Sequence, residues 1–449
     1  MFFYYVDLAW RSIKKTPVLS MLMVLAISIG IGITITTLNV YKMMSFNPAG
    51  ERSDELNAVQ LWSQGPDSWD ELNSLVTYQD AMNLRNNTLP KRQAAMFRTG
   101  MAVQTDDVNF APILESIRVT DSDFFKLFDV PFLYGNAWDK SVDTEPAYQV
   151  VINDKLNQKL FAGQNSVGKV VYLNRKPYQV VGVIKAWDPK PKYYDPTNGA
   201  FNDTEQIFVP FSLTPIEEFD IWGNTSGWKF EPMNSYSDRL HSEKVWLLYW
   251  VELPNKDAVA SYRSWLSNYV AEQKALGRFT DNKSAADSVK VSDVATWLEY
   301  NHVVPEDNKI LVGLSVLFLS VCLVNILGLM LTKFLKRAPE VGVRRAIGAS
   351  RGQIFAQYMV EVGMIGLFGG LLGLAWAYAS LYGLSAQFEV AKGLTQLSAQ
   401  FEVAKGLTQL SASMWIITPS IAVGTALLAG LYPAWVVCRT KPSVYLKSQ

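Results

Sequence analysis

Gly163-Gln-Asn-Ser-Val-Gly168-Lys169 has the spacing of a phosphate-binding loop. Such a loop holds phosphate in backbone N–H groups, and its next residue is a Ser or Thr whose hydroxyl binds Mg²⁺. Here that residue is Val170, and a β-rich run follows where a helix N-terminus should receive the anion. The segment is expected to be a plain glycine turn, and no second nucleotide motif occurs. The histidines are His241 and His302, too few and too far apart to suggest a metal cluster. Cys322 and Cys438 both fall in apolar stretches, so neither a disulfide framework nor a Cys–His pair is expected in the polar part of the chain. No nucleophile elbow accompanies either histidine. The chain is therefore expected to have no catalytic residue, no metal and no cofactor of its own. If ATP powers it, another chain hydrolyses the ATP.

Two other groups of residues say more. Glu361 lies inside an apolar run, where an ionisable side chain needs a partner or a wet surrounding. Its closeness to Arg351 favours a structural ion pair or a packing role over a proton or substrate site. Upstream, Lys336 to Ile354 carries Arg337, Arg344, Arg345 and Arg351 against Glu340. Anionic headgroups would hold such a loop by about 1 kcal/mol per charge. Headgroup binding does not need Glu340, Val341, Ile347 or Gly348, however. A short helix here would show an apolar edge of Val341, Ile347 and Ala349 flanked by Arg344 and Arg345, which points to docking of a cytoplasmic protein.

The elements that must position these residues are apolar helices. At about 1.5 Å per residue, a helix over Ile310–Thr332 is about 35 Å long, enough to cross a bilayer. The same holds for Val18–Tyr41 and for two spans between Arg351 and Arg439. Residues 17–44, 309–333, 354–383 and 414–437 are read as four transmembrane helices, one before a large domain at 45–308 and three after it. The first span is too long for a signal-peptide core and lacks a small-residue cleavage site, so it is read as a retained anchor. Basic residues flank the spans at Arg11, Lys14 and Lys15, in the 334–353 loop, and at Arg439, Lys441 and Lys447, whereas 45–308 is net acidic. The positive-inside rule then places both termini and the loop in the cytoplasm and the domain outside. A nucleic-acid footprint is missing. Small residues four apart (Ala26/Gly30, Ser28/Gly32, Gly366/Gly370, Gly369/Gly373, Ala426/Gly430) allow close helix approach, within the chain or between copies.

Residues 1–16 suit an amphipathic helix on the inner interface, turned into the membrane at Pro17. In the outer domain, Ala58–Trp62, Lys244–Leu253, Val289–Val294, Tyr148–Ile152, Val170–Leu173 and Tyr178–Ile184 read as strands. Leu72–Arg85 and Asp257–Lys274 have helical spacing. Residues 116–243, rich in aromatics, Pro, Asn and Gly, are read as a subdomain inserted into a discontinuous first one. Trp222, Trp228 and Trp246 are expected to pack the core more than to line a binding surface. Residues 384–413 link spans three and four and contain a literal repeat: Leu384–Gln396 recurs as Leu397–Gln409. Thirteen residues do not return a helix to the same face, so a neutral duplication is the simpler reading. Residues 438–449 form a tail.

The inner loop Glu340-Val-Gly342-Val-Arg344-Arg345-Ala-Ile347-Gly348-Ala349 resembles that of MacB/FtsX-type permeases, the membrane subunits of type VII ABC systems. Span three continues the likeness with Glu361 and Gly369-Gly370-Leu-Leu-Gly373, as do Tyr432-Pro-Ala-Trp435 and Lys441-Pro-Ser-Val-Tyr-Leu446. Outside, Val119–Phe125, Leu133-Tyr-Gly135, Leu160–Gly163, Val167–Lys169 and Tyr178–Val183 also fit. The best-known member carries an N-terminal ATPase domain with no counterpart here, and the 384–409 repeat also lacks one. The resemblance implies a membrane protein with four transmembrane α-helices (1+3) and a large α/β extracytoplasmic domain of two subdomains between the first and second helices. It implies a multi-pass protein of the bacterial inner membrane acting as a dimer with a second permease, the same chain or a paralogue. Separate cytoplasmic ABC ATPase subunits would bind the ATP and Mg²⁺, with Arg337, Glu340, Val341, Gly342, Arg344, Arg345, Ile347, Gly348 and Ala349 receiving their motion. Gly30, Gly32, Gly366, Gly369, Gly370, Gly373 and Glu361 would pack the spans. MacB-like efflux with a periplasmic adaptor and outer-membrane channel is the leading expectation, on domain size. The alternative is an FtsX/LolC-like permease that regulates partner proteins or handles lipoproteins. Membrane lipids are expected contacts and nucleic acid is not.

Overall fold

The computed structural model describes residues 2–65, 72–106, 110–394 and 414–439. The chain forms two compact units, Phe46–Val303 and the segments Met1–Ser45 with Val304–Gln449. The second unit begins with α1 (Phe2–Lys15), whose buried Ala9 and Ser12 lie one helical turn apart and face α12, defined below. Pro17 opens α2 (Pro17–Met44). Proline is well placed there, because its missing N–H falls on a donor the helix would leave unpaired anyway.

The inserted unit is built on one eleven-stranded sheet, nine strands of it in the order β11-β1-β10-β3-β4-β9-β6-β8-β5, with β2 pairing β10 and β7 pairing β3 and β8 off that path. Its strands are β1 (Leu56–Leu61), β2 (Val76–Thr77), β3 (Arg92–Gln104), β4 (Ile113–Thr120), β5 (Phe132–Gly135), β6 (Gln149–Asn153), β7 (Val170–Leu173), β8 (Lys176–Ile184), β9 (Ile207–Pro210), β10 (Val245–Glu252) and β11 (Val289–Asp293). Helices α3 (Tyr78–Leu84), α4 (Phe124–Leu127), α5 (Asp154–Phe161), α6 (Thr214–Glu217), α7 (Tyr236–Leu240), α8 (Lys256–Ala275) and α9 (Val294–Tyr300) pack around it. β1 and β10 are buried along their whole length, and β10 accordingly reads as a nearly continuous apolar run, whereas β1 also buries Asn57 and Gln60. Leu72–Arg85, expected as one helix, is helical only from Tyr78, because Val76 and Thr77 pair with β10 and Thr77 caps α3 through Asp80 N.

The long strand β3 spreads the sheet across both halves. Its start pairs with β10, Met96 to Val103 pair with β4, and its end meets β7. Ser116, the expected start of the inserted part, sits within β4, so a ladder rather than a linker joins the halves. Phe97 meets Trp246 edge-on at 4.8 Å, and Tyr78 stacks on the same indole. A balanced ionic network is fully buried nearby: Arg118 bonds Asp195 and Glu205 at 2.5 Å, and Lys192 and the Tyr194 hydroxyl donate to Glu205. Burial pushes the Glu205 carboxyl up, but Arg118 and Lys192 outweigh it and hold it below the usual carboxylate range.

The membrane unit resumes with α10 (Glu306–Lys336), α11 (Ala338–Ala346), α12 (Arg351–Leu394) and α13 (Met414–Arg439). Among the described residues, four helices are long and apolar enough to cross a membrane: α2, α10, the Arg351–Gly383 part of α12, and α13. Gly348, at φ +107°, ends the α11 turn. Ser350 and Gln353 then cap α12 reciprocally, each side chain accepting the other's backbone N–H. The third candidate span runs Arg351–Gly383, and its helix continues to Leu394, into the first copy of the repeat. The second copy of the repeat and the Lys441–Leu446 segment lie outside the described residues.

Candidate functional site

The ionisable groups of the membrane unit converge on Glu361. Its side chain is fully buried and receives Lys333 Nζ at 2.7 Å and the Ser12 hydroxyl at 2.5 Å on one oxygen. Arg337 reaches the other at 3.4 Å and also bonds Ser12. Lys333 donates a further bond to the Ser20 hydroxyl at 2.8 Å. Arg337 continues to Glu340 at 3.4 Å, and Lys15 closes the ring on Glu340 at 2.9 Å. Five helices therefore contribute: α1 through Ser12 and Lys15, α2 through Ser20, α10 through Lys333, α11 through Glu340 and α12 through Glu361, with Arg337 at the junction of α10 and α11. An ion this deep survives only if it is paired and hydrogen-bonded, and here each charge is. The bond from Lys15, with Arg337 alongside, holds Glu340 below the usual carboxylate range against partial burial.

Glu361 is thus held by Lys333, Arg337 and Ser12. Lys333, in the last turn of α10, is fully buried. The signal for it was spacing, since Lys333 and Arg337 lie four apart and share a helix face. Ser12, polar on the buried Ala9 face of α1, was a second signal. Ser20 left none.

The docking edge expected on α11 needs correction. Val341 is 5% exposed and packs into the span core with Phe334, Ile354 and Tyr358 around it, and Gly342 is buried too. Ala349 is half-buried against the same core. The apolar residues presented outward are Val343, 53% exposed, and Ile347, 82% exposed, one turn apart, with Ala346 and Gly348 also exposed. Helical phase explains the difference, because Val341 lies on the α12 side of α11. Arg344 donates to Gln357 at 3.0 Å and Arg345 to the Cys438 carbonyl at 3.3 Å, so both arginines also brace α11.

The small-residue spacings serve packing inside the chain. A Cβ on Gly366 or Gly370 would come within 2.7 Å or 2.6 Å of Ala426 or Ala422 on α13. On Gly369 it would come 2.5 Å from Ile27, and on Gly373 3.0 Å from the Ser28 carbonyl, both on α2. The two glycine rows thus clamp α12 between α13 and α2. Gly30 meets Leu319 and Cys322 of α10, and Gly32 meets Trp376 of α12.

Elsewhere, Gly163–Lys169 follows the end of α5 and precedes β7, with positive φ at Gly163 and Gly168. That is helix–turn–strand, the reverse of a phosphate loop. Trp246 is core, Trp222 is exposed over Gly100, and Trp228 is half-buried beside a cavity. His302 lines that cavity and His241 is exposed, bonding the Ser237 carbonyl.

Comparison with known proteins gives a consistent picture. The family model described as MacB-like periplasmic core domain matches residues 20–269, and the one described as FtsX-like permease C-terminal matches 312–442. The macrolide export ATP-binding/permease protein MacB of Shewanella sp. (strain W3-18-1) is 22% identical over 57% of this chain and 34% of its own length. The uncharacterized ABC transporter permease YknZ of Bacillus subtilis (strain 168) is 24% identical over 53% of this chain and 49% of its own. The chain thus spans about a third to a half of these relatives. The crystal structure of the periplasmic region of MacB from Actinobacillus actinomycetemcomitans aligns with 56% of this chain and 94% of that one, at 10% identity and a TM-score of 0.36.

Proposed function

Because the chain belongs to the MacB/FtsX-type ABC transporter permeases, we propose that it is the membrane subunit of an ATP-driven MacB-like export system of the bacterial inner membrane. In this scheme both termini and α11 are cytoplasmic, and the inserted domain is periplasmic. Separate ATPase subunits bind ATP and Mg²⁺ and dock on Val343 and Ile347, and two permease subunits act together. The observation that carries the proposal is the Glu361 cluster. It ties α11 to α2 and α10, the two helices that lead into and out of the inserted domain.

A push on α11 reaches Arg337 and Glu340 first. Breaking a buried ion pair costs about 3–5 kcal/mol, so the cluster moves as a body before it slips. Displacement then passes through Lys333 into α10 and through Ser20 into α2, and from there along the chain to the domain at 46–303. ATP-driven motion is thereby delivered outside without substrate crossing between the spans. Relatives named for macrolide export support efflux as the use of that motion, with a periplasmic adaptor and outer-membrane channel as further partners.

The test is co-purification with the ATPase encoded nearest to this chain, followed by ATP turnover in lipid nanodiscs. A stable complex that is lost in Ile347→Glu and in Val343→Glu is the expected result. These positions are better probes than Arg344 or Arg345, which also hold α11 to its own neighbours. Undiminished ATPase binding by both variants would refute docking on this face.

A further inference from the structure

The inserted domain contains a cavity of about 490 Å³, within the usual size range of small-molecule sites. Its wall is chemically unusual. Ser63, Gln64, Asn73, Thr225, Trp228 and Tyr300 contribute to it, and none of its described lining residues is a lysine or arginine. Glu243 is the one carboxylate among them, and Arg278 binds both its oxygens at 2.7 Å and 3.0 Å while also bonding the buried Asp80. The described wall is thus mostly neutral hydroxyl and amide groups.

An apolar ligand is disfavoured there. Ser63 and Gln64 are 1% and 7% exposed, and Ser63 Oγ and Gln64 Oε1 have no hydrogen-bond partner. Leaving such atoms unpaired costs about 1–3 kcal/mol each, so they ask for a hydrogen-bonding occupant. Water alone would satisfy them, but at about 30 Å³ per water the cavity has room for on the order of fifteen. The volume therefore exceeds the need of two polar atoms.

The aromatic groups are held before any ligand arrives. Trp228 lies so close over Gly65 that a Cβ there would come 2.3 Å from the ring, and Lys229 sits 5.2 Å from its centroid. The Tyr300 hydroxyl donates to the Leu72 carbonyl, while Lys290 covers the ring at 4.1 Å. Asn301, next in sequence, accepts from the Ser74 hydroxyl and donates to the Trp297 carbonyl, which fixes the wall between them. Rigid aromatic surface beside neutral hydroxyl and amide groups suits a molecule with apolar C–H faces and many hydroxyls.

We propose that this cavity binds an oligosaccharide, stacked on Trp228 and hydrogen-bonded by Ser63 and Gln64. The inference does not depend on the coupling scheme, because every residue invoked lies within 46–303. The test is isothermal titration of the full chain in nanodiscs with maltose and with diacetylchitobiose, and with trialanine as a peptide probe. Saturable binding of either disaccharide is expected. It should weaken about tenfold in Gln64→Ala, the loss of roughly one hydrogen bond, and at least as much in Trp228→Ala. Gly65→Ala should also weaken it, because it displaces the ring without removing it, while unchanged melting temperatures show that the variants fold. Failure of both disaccharides to bind, binding of trialanine in their place, or equal affinity in wild type and in folded Trp228→Ala would overturn the proposal.

Discussion

Replacing Glu361 with Gln tests the central element directly. Lys333 and Glu361 stand 2.7 Å apart with both side chains fully buried. At an effective dielectric of about 20 their gross attraction is about 6 kcal/mol, set against a desolvation penalty of several kcal/mol per ion. The net worth of the pair is therefore small, whereas breaking it is expensive. Glu361→Gln leaves the buried Lys333 charge without a carboxylate, with only the Ser20 hydroxyl and an amide oxygen to accept from it, and leaves Arg337 with Glu340 and Ser12. The expected loss is about 3–5 kcal/mol. Lys333→Met/Glu361→Gln removes both charges, and it should recover most of that loss through the apolar surroundings of Met330 and Phe334. Reversible unfolding of the detergent-solubilised chain, arranged as a double-mutant cycle, measures the coupling. With ATPase bound, the double variant should still assemble but transmit less, seen as reduced substrate-stimulated ATP turnover. A single variant that loses less than about 1 kcal/mol, or a double variant whose loss is the simple sum, would refute the cluster's role as a linked body.

Two further outcomes follow from the packing and the burial. Gly369→Ala forces a methyl to within 2.5 Å of Ile27 and should cost about 1–3 kcal/mol by overpacking; Gly328→Ala, with nothing within 4 Å, should be neutral or gain up to about 1 kcal/mol. Thermal melts of the two variants check the contrast. In the inserted domain, burial pushes the Asp121 carboxyl up to about 6 from 3.8, with Asp143 adding to it and Arg85 opposing. A raised carboxylate binds its proton more tightly folded than unfolded, so its contribution to stability falls as pH rises from about 4 to 6, by about 3 kcal/mol in all. Melting temperatures across that range should show a shallower decline for Asp121→Asn than for the wild type, and parallel profiles would exclude Asp121 as the source.

The spans, the large polar insertion and most strands were legible because burial writes itself into composition. A bilayer-spanning helix needs a long apolar run, and a strand buried on both faces, such as β10, needs a short one. The strand β3 was not legible. Arg92–Gln104 mixes polar and apolar residues because its two faces and its three partners change along its length, so no single period describes it. The length of the helix at 72–85 was missed for a similar reason, since pairing of Val76 and Thr77 with a distant strand overrides local spacing.

The candidate site divides in the same way. The sequence by itself required a partner for Glu361 and marked the 336–354 loop as a candidate docking element, because a charge in lipid and an apolar patch among arginines each demand an explanation. It determined that the glycine rows permit close helix approach. Which partners those features meet was decided by tertiary structure alone. Lys333, Ser12 and Ser20 lie on three different helices, and Val343 rather than Val341 faces outward only because α11 has a particular rotation against α12. Contacts hundreds of residues apart depend on how helices turn and dock, and the spacing of residues within any one helix carries no record of that.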